Sequence, residues 1–186
     1  MAIIAKEPEN NYKQIDAGTY QAVCVELLDI GLRESNTFDK AGVINGTTEK
    51  AKICIVWELT ETREDGKRFV FCKEYVNSLH EKATLRKDLN SWRGVPFSAE
   101  ELKGFDLEKV INTNCMVNIE AYKKQSGGEG RKIASVGKLM KGLEKIQASE
   151  TYQRPKFIDD ILRAQHIDNV GIEGHSEENP SDNLPF

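Results

Sequence analysis

A mainly β body with one helix between its third and fourth strands is the fold class this sequence predicts, and three observations carry it. Two segments alternate apolar and polar residues on either side of an Asp65-Gly66 turn. The apolar spacing then lengthens to that of a helix through Leu85, Leu89 and Trp92. Two more strand-like segments follow, separated by a glycine-rich loop. The chain has 186 residues, enough for one domain of this kind and an appendage. At 39% apolar and 30% charged residues, part of it is expected to stay outside a core.

Residues 1–18 are polar, with Glu7-Pro8-Glu9-Asn10-Asn11, and read as an N-terminal arm. Gly18 opens Thr19–Asp29, a strand rich in Tyr, Val and Leu. Residues 30–50 contain Gly31, Gly42 and Asn45-Gly46 without periodicity and read as a long loop. In Ala51–Thr60, Ile53, Ile55, Trp57 and Leu59 alternate with Lys52, Cys54, Val56 and Glu58, the pattern of a second strand whose apolar face holds Trp57. Lys67–Val76 resumes strand chemistry after the turn, so the two segments pair as a hairpin. Ser78-Leu79-His80-Glu81 matches a capping box and starts the helix that Gly94 and Pro96 end. Ser98-Ala99-Glu100-Glu101 repeats the pattern for a shorter helix closing near Gly104. Asn114–Tyr122 is the fourth strand, Gln125–Gly130 a loop and Arg131–Val136 the fifth strand. Phe157, Ile158, Ile161 and Leu162 fall at helical spacing, whereas residues 165–186 are too polar to bury a core.

Three strands, a helix and two strands is the order of a five-stranded OB-type Greek-key barrel, an order that other small mixed β domains share. The expected plan is an N-terminal arm over 1–18, an OB-like domain over 19–140, a weakly helical linker over 141–164 and a disordered acidic tail over 165–186. In such a barrel, residues 30–50 and 123–130 flank the groove that holds oligonucleotides.

The net charge of −4 is unevenly distributed. Residues 165–186 hold Asp168, Glu173, Glu177, Glu178 and Asp182 and no Lys or Arg, which leaves 25 acids against 26 bases in the rest. A near-neutral body with an acidic tail is compatible with an anionic partner. No apolar run is long enough to span a membrane, and the N-terminus lacks the basic and apolar regions of a signal peptide, so a cytoplasmic protein is expected. Cys24, Cys54, Cys72 and Cys115 lie in apolar segments without a pairing motif and read as small buried residues. Gly127-Gly128-Glu129-Gly130 joins two strands and lacks the Gly-Lys-Ser/Thr of a phosphate loop. His80, His166 and His175 have no ligand at metal spacing, and no nucleophile motif is present, so neither metal, cofactor nor enzyme is expected.

The chain ends Asp182-Asn183-Leu184-Pro185-Phe186. A terminal Phe can fill an apolar pocket while its carboxylate pairs with a cation, and upstream acids steer toward a basic rim. This ending resembles the tail tip of bacterial and phage single-stranded DNA-binding proteins, departing from it at Asn183, where that family usually has an acid. The run from Leu79 through His80-Glu81-Lys82-Ala83-Thr84, Leu85-Arg86-Lys87-Asp88-Leu89 and Asn90-Ser91-Trp92-Arg93 to Gly94 is also similar to the phage-encoded members. The resemblance implies an OB core that coats single strands in replication or recombination. It further implies a tip, residues 182–186, that recruits partner enzymes.

Contact residues are argued from the strands, because sequence-tolerant binding of single strands needs aromatic platforms and cations along the phosphates. Phe69, Phe71, Lys73 and Tyr75 share one face of the third strand, either as binding surface or as core. Lys52 lies on the polar face of the second strand. Tyr122, Lys123, Lys124, Arg131 and Lys132 surround the last hairpin loop as a finger over the strand. Arg33, Phe38, Lys40 and Lys50 are weaker candidates of the same kind. Homo-oligomerisation is possible. An OB-like adaptor or loader without DNA affinity, and a carboxylate-dependent nuclease, are the competing expectations.

Overall fold

A computed structural model of the chain describes residues 14–124 and 127–163. The tail, its tip, most of the N-terminal arm and the side chain of Phe38 lie outside the described residues. Alternation builds the structure that follows. Strands β1 (Gly18–Phe38), β2 (Ile44–Thr62), β3 (Arg68–Val76), β4 (Asn114–Lys123) and β5 (Glu129–Lys138) form one sheet in the order β3-β2-β1-β4-β5. Every paired neighbour is antiparallel, so the edge strands β3 and β5 run in the same direction. They approach each other at Lys73 of β3, whose Nζ donates to the Ala134 carbonyl of β5 over 2.8 Å.

The inner face carries Ile53, Ile55, Trp57 and Leu59 of β2, all buried, with Cys115, Val117 and Ile119 of β4 and Ile133 and Val136 of β5. Helix α1 (Thr84–Arg93) packs against this face through Leu85, Leu89 and Trp92. The Trp57 and Trp92 rings lie 5.8 Å apart, and Trp92 Nε1 donates to the Asn114 carbonyl. Gly94 ends the helix in a left-handed conformation, φ 71°, that a residue with a Cβ rarely adopts. The helix starts later than the capping box predicts. Ser78 Oγ accepts from the His80 amide, closing a local turn, and α1 begins beyond Ala83 with no side-chain cap. At Ser98 the box does form: Ser98 Oγ accepts from the Glu101 amide, and Glu101 accepts from the Ser98 amide. It caps a 3-10 turn, Glu101–Lys103, and a second turn, Leu107–Val110, is capped by Asp106.

Residues 30–50 are not a loop. β1 and β2 continue as a ribbon pairing Arg33 with Lys50, Glu34 with Glu49 and Asn36 with Thr47, and the turn is held by Asp39 Oδ1 accepting from the Ala41 and Val43 amides. The ribbon leaves the body, so neither of its faces joins a core, and the alternation that marks a half-buried strand is missing.

The outer face is covered as well. Ile30, Cys54 and Val56 form a second apolar cluster with Ile158, which sits in helix α2 over residues 156–163. Residues 144–149 lead to this helix as a strap across the sheet. Gln21 donates to the Glu144 carbonyl, Asn114 exchanges hydrogen bonds with Ile146, and the buried Glu58 carboxylate accepts from the Ser149 amide and hydroxyl. Arg68 joins Glu58 to the Gln147 carbonyl, and Arg154 pairs with Glu26. The segment read as a linker is thus bound along its length to the sheet.

Candidate nucleic-acid interface

Two hairpins, the β1–β2 ribbon and the β4–β5 turn, stand on either side of the gap between β3 and β5. Beside the ribbon lies a cleft of ≈ 1080 Å³ walled by Glu34, Lys50 and Lys52 of the ribbon, Glu74 of β3, and His80 and Lys82 before α1. A second cavity of ≈ 460 Å³ lies in the seam between the edge strands, where Lys132, Ile133 and Ala134 face Cys72, Lys73 and Glu74. Lys73 and Glu74 line both, so the two adjoin at β3. Lys132 extends the track to Tyr122, its Nζ 5.9 Å from the ring centroid.

Tyr122 is 41% exposed, and its ring lies across the backbone of Gly130, the residue opposite it on β5. A Cβ at position 130 would stand 2.7 Å from ring carbons of Tyr122, so glycine is what lets the ring lie flat. The result is an aromatic face held open to solvent, with exposed Lys123 and Lys124 on the same hairpin.

Half of the sequence-derived candidates are engaged by the fold, although Lys73 and Tyr75 also border the cleft. Tyr75 is 3% exposed and donates its hydroxyl to Asp88 over 2.8 Å, leaving no ring face for a base. Burial first and the Asp88 carboxylate second push its phenol well above the ordinary value. Lys73 pairs with the same Asp88 oxygen at 2.7 Å and bridges to β5, so its charge is already neutralised. Phe69 and Phe71 are half-buried against the inner core, Phe71 opposite Trp57. Arg131 donates to the Ile15 carbonyl over 2.8 Å and pairs with Glu129, which ties the residues before β1 to β5. The inward turn of Phe69, Phe71, Lys73 and Tyr75 has one cause: β2 and β3 share a register, so the partners of buried Ile53, Ile55 and Trp57 face inward too.

Lys52, Tyr122, Lys123, Lys124 and Lys132 do lie along the track or on its flanking hairpin, with Lys50 from the ribbon. Lys52 Nζ is held near the Glu34 carbonyl at 3.4 Å. Lys82 is the residue the sequence reading passed over. Its only signal was a place in the capping-box segment, which turns toward the cleft because the helix starts late. Arg33 donates to the Ile161 carbonyl and so joins the ribbon's base to α2.

Among the described residues no group of three or more His, Cys, Asp or Glu is placed to hold a metal ion. Nor, among them, is any helix long and apolar enough to cross a membrane. No protein-family model and no curated protein matches the chain, so its function is argued from this geometry and from the sequence.

Proposed function

We propose that the chain is a non-enzymatic single-stranded DNA-binding protein with an OB-type body, coating strands with little sequence preference in phage replication or recombination within a bacterial cytoplasm. The observation that carries this reading is the track itself. Two adjoining clefts lie between the hairpins, with Lys50, Lys52 and Lys82 lining one, Lys132 lining the other with Lys123 and Lys124 on the hairpin beyond it, and an exposed ring backed by glycine beside Lys132. Cations spaced along a groove suit phosphates, and a flat, sequence-blind ring suits a base. The strand order, with its two edge strands running the same way and nearly meeting, supports the OB-type assignment.

The tail has two roles in this reading. Its tip, Asp182-Asn183-Leu184-Pro185-Phe186, recruits replication or recombination enzymes. Its five acids compete with DNA for the track. The contact of Arg33 with Ile161 brings the end of α2 beside Lys50, the partner of Arg33 in the ribbon. A second reading, an adaptor without DNA affinity, draws on the number of internally paired cations: Lys73, Arg68, Arg131 and Arg154 all serve the fold.

Anisotropy of a labelled poly-dT oligonucleotide, titrated at several salt concentrations against a duplex competitor, tests the proposal. Binding that weakens steeply with salt and resists the duplex is the expected result. Deleting residues 165–186 should raise affinity at low salt. Absence of binding at low salt, with and without the tail, would overturn the DNA-coating role and leave the adaptor.

A further inference from the structure

The four cysteines are two kinds of residue. Cys24 and Cys115 are sealed in the inner core, where burial pushes the Cys24 thiol up to about 12 and raises that of Cys115 as well. Cys54 and Cys72 belong to the outer cluster, on neighbouring strands and the same face of the sheet. The register pairs Cys54 with Glu74 and Val56 with Cys72, which places the two cysteines on a diagonal. The Cys54 thiol donates to the Ile55 carbonyl, 3.9 Å away. Their surroundings differ in a useful way. Cys54 is fully buried, whereas Cys72 is part-exposed and lines the ≈ 460 Å³ seam cavity beside Lys73 and Lys132.

We propose that Cys54 and Cys72 are a redox-active dithiol, with Cys72 the thiol that a small organic disulfide reaches through the seam and Cys54 the thiol that resolves it. The Cys72 thiolate attacks one sulfur of oxidised glutathione, breaking its S–S bond and releasing one glutathione thiolate, which takes up a proton. Cys54 gives up its proton and attacks the Cys72 sulfur, expelling the second glutathione as thiol. Two protein thiols are oxidised to one disulfide and one glutathione disulfide is reduced to two thiols. The neighbouring Cys54 thiol holds the Cys72 thiol below its ordinary value, against burial and Glu74, and the same neighbour followed by burial pushes Cys54 up. That is the division of labour expected of attacking and resolving thiols.

Diagonal positions on paired strands have Cα atoms about 7–8 Å apart, against roughly 4.4–6.8 Å in a disulfide, so closing the bond draws β3 in by about 1 Å. β3 is an edge strand whose ladder with β2 is interrupted by a register shift between Glu58 and Thr62, just beyond the Cys54–Cys72 diagonal, where it can adjust.

The test treats the native full-length protein with oxidised glutathione, then denatures it, alkylates the remaining thiols and maps the peptides by mass spectrometry. The expected map shows positions 54 and 72 losing their thiols together in one cross-linked peptide pair, restored by dithiothreitol, with positions 24 and 115 still alkylated. In Cys54→Ser the reaction should stop at a persistent glutathione adduct on Cys72. Free thiols at both 54 and 72, an adduct resting on Cys72 with Cys54 intact, or a cross-link through position 24 or 115 would each overturn the proposal. The wild-type map decides the matter even where the variant does not fold.

Discussion

Tyr122 and Tyr75 are both tyrosines on strands with a lysine close to the ring, and they do opposite things. The Tyr122 ring lies over Gly130 with its outer face in water, so truncating it removes a stacking surface and little packing. Tyr122→Ala should weaken poly-dT binding by about 1–3 kcal/mol, roughly 5- to 150-fold, with an unchanged urea midpoint; anisotropy and urea titration read the two separately. Gly130→Ala should reach part of the same loss by lifting the ring. Tyr75 is a stability residue. Its phenol is raised in the folded protein from an ordinary value of 10.0, by burial and then by Asp88, so the unfolded chain releases that proton first. Its contribution is therefore complete below pH 10.0 and is lost as pH rises beyond it. Urea midpoints measured from neutral to strongly alkaline pH should fall above that point, and fall less in Tyr75→Phe. A matching fall in the variant would remove Tyr75 as the cause.

At the scale of elements, the ribbon and the strap are where sequence and structure part. Strands over Ala51–Thr60 and Lys67–Val76 were legible because Ile53, Ile55, Trp57 and Leu59 alternate, and alternation records burial on one face. The ribbon from Gly31 to Lys50 is equally extended but buries neither face, so nothing in its composition separates it from a loop. The strap was hidden for another reason: its hold on the sheet comes from backbone groups meeting Gln21, Asn114 and Glu58, partners more than 30 residues away. Candidate contacts divided along the same line. Lys52 could be found from alternation and Tyr122 from the last hairpin loop, whereas the pairing of Lys73 with Asp88 joins β3 to α1, a contact that spacing alone does not bring near. Two variants follow. Replacing residues 36–46 by a short turn should leave thermal stability close to wild type and weaken poly-dT binding, since the body's core contains none of those residues. Glu58→Ala strips the strap of its Ser149 and Arg68 partners and should cost about 1–3 kcal/mol, with amide exchange in 144–155 accelerating ahead of the rest.

For the whole molecule, a body with almost balanced charge binds an anion only through where its lysines stand, so the salt dependence counts them. Each phosphate contact contributes a slope of about −0.7 on single strands, and Lys50→Ala with Lys132→Ala should flatten the measured slope by about 1.4. The same body is closed with unusual economy. Its β1–β4 junction zips six residue pairs together, from Gly18 opposite Ile119 to Val23 opposite Asn114. Across the opposite junction the Lys73 ammonium grips Asp88 of α1 and the Ala134 carbonyl of β5, and α1 packs against both edge strands. Under a pulling force the molecule therefore has a hinge side and a latch side. Load applied across β3 and β5 meets side chains and a packed helix but, among the described residues, no ladder of paired backbone, so it opens there first with the hairpins intact, while load across β1 and β4 has to shear an entire row at once.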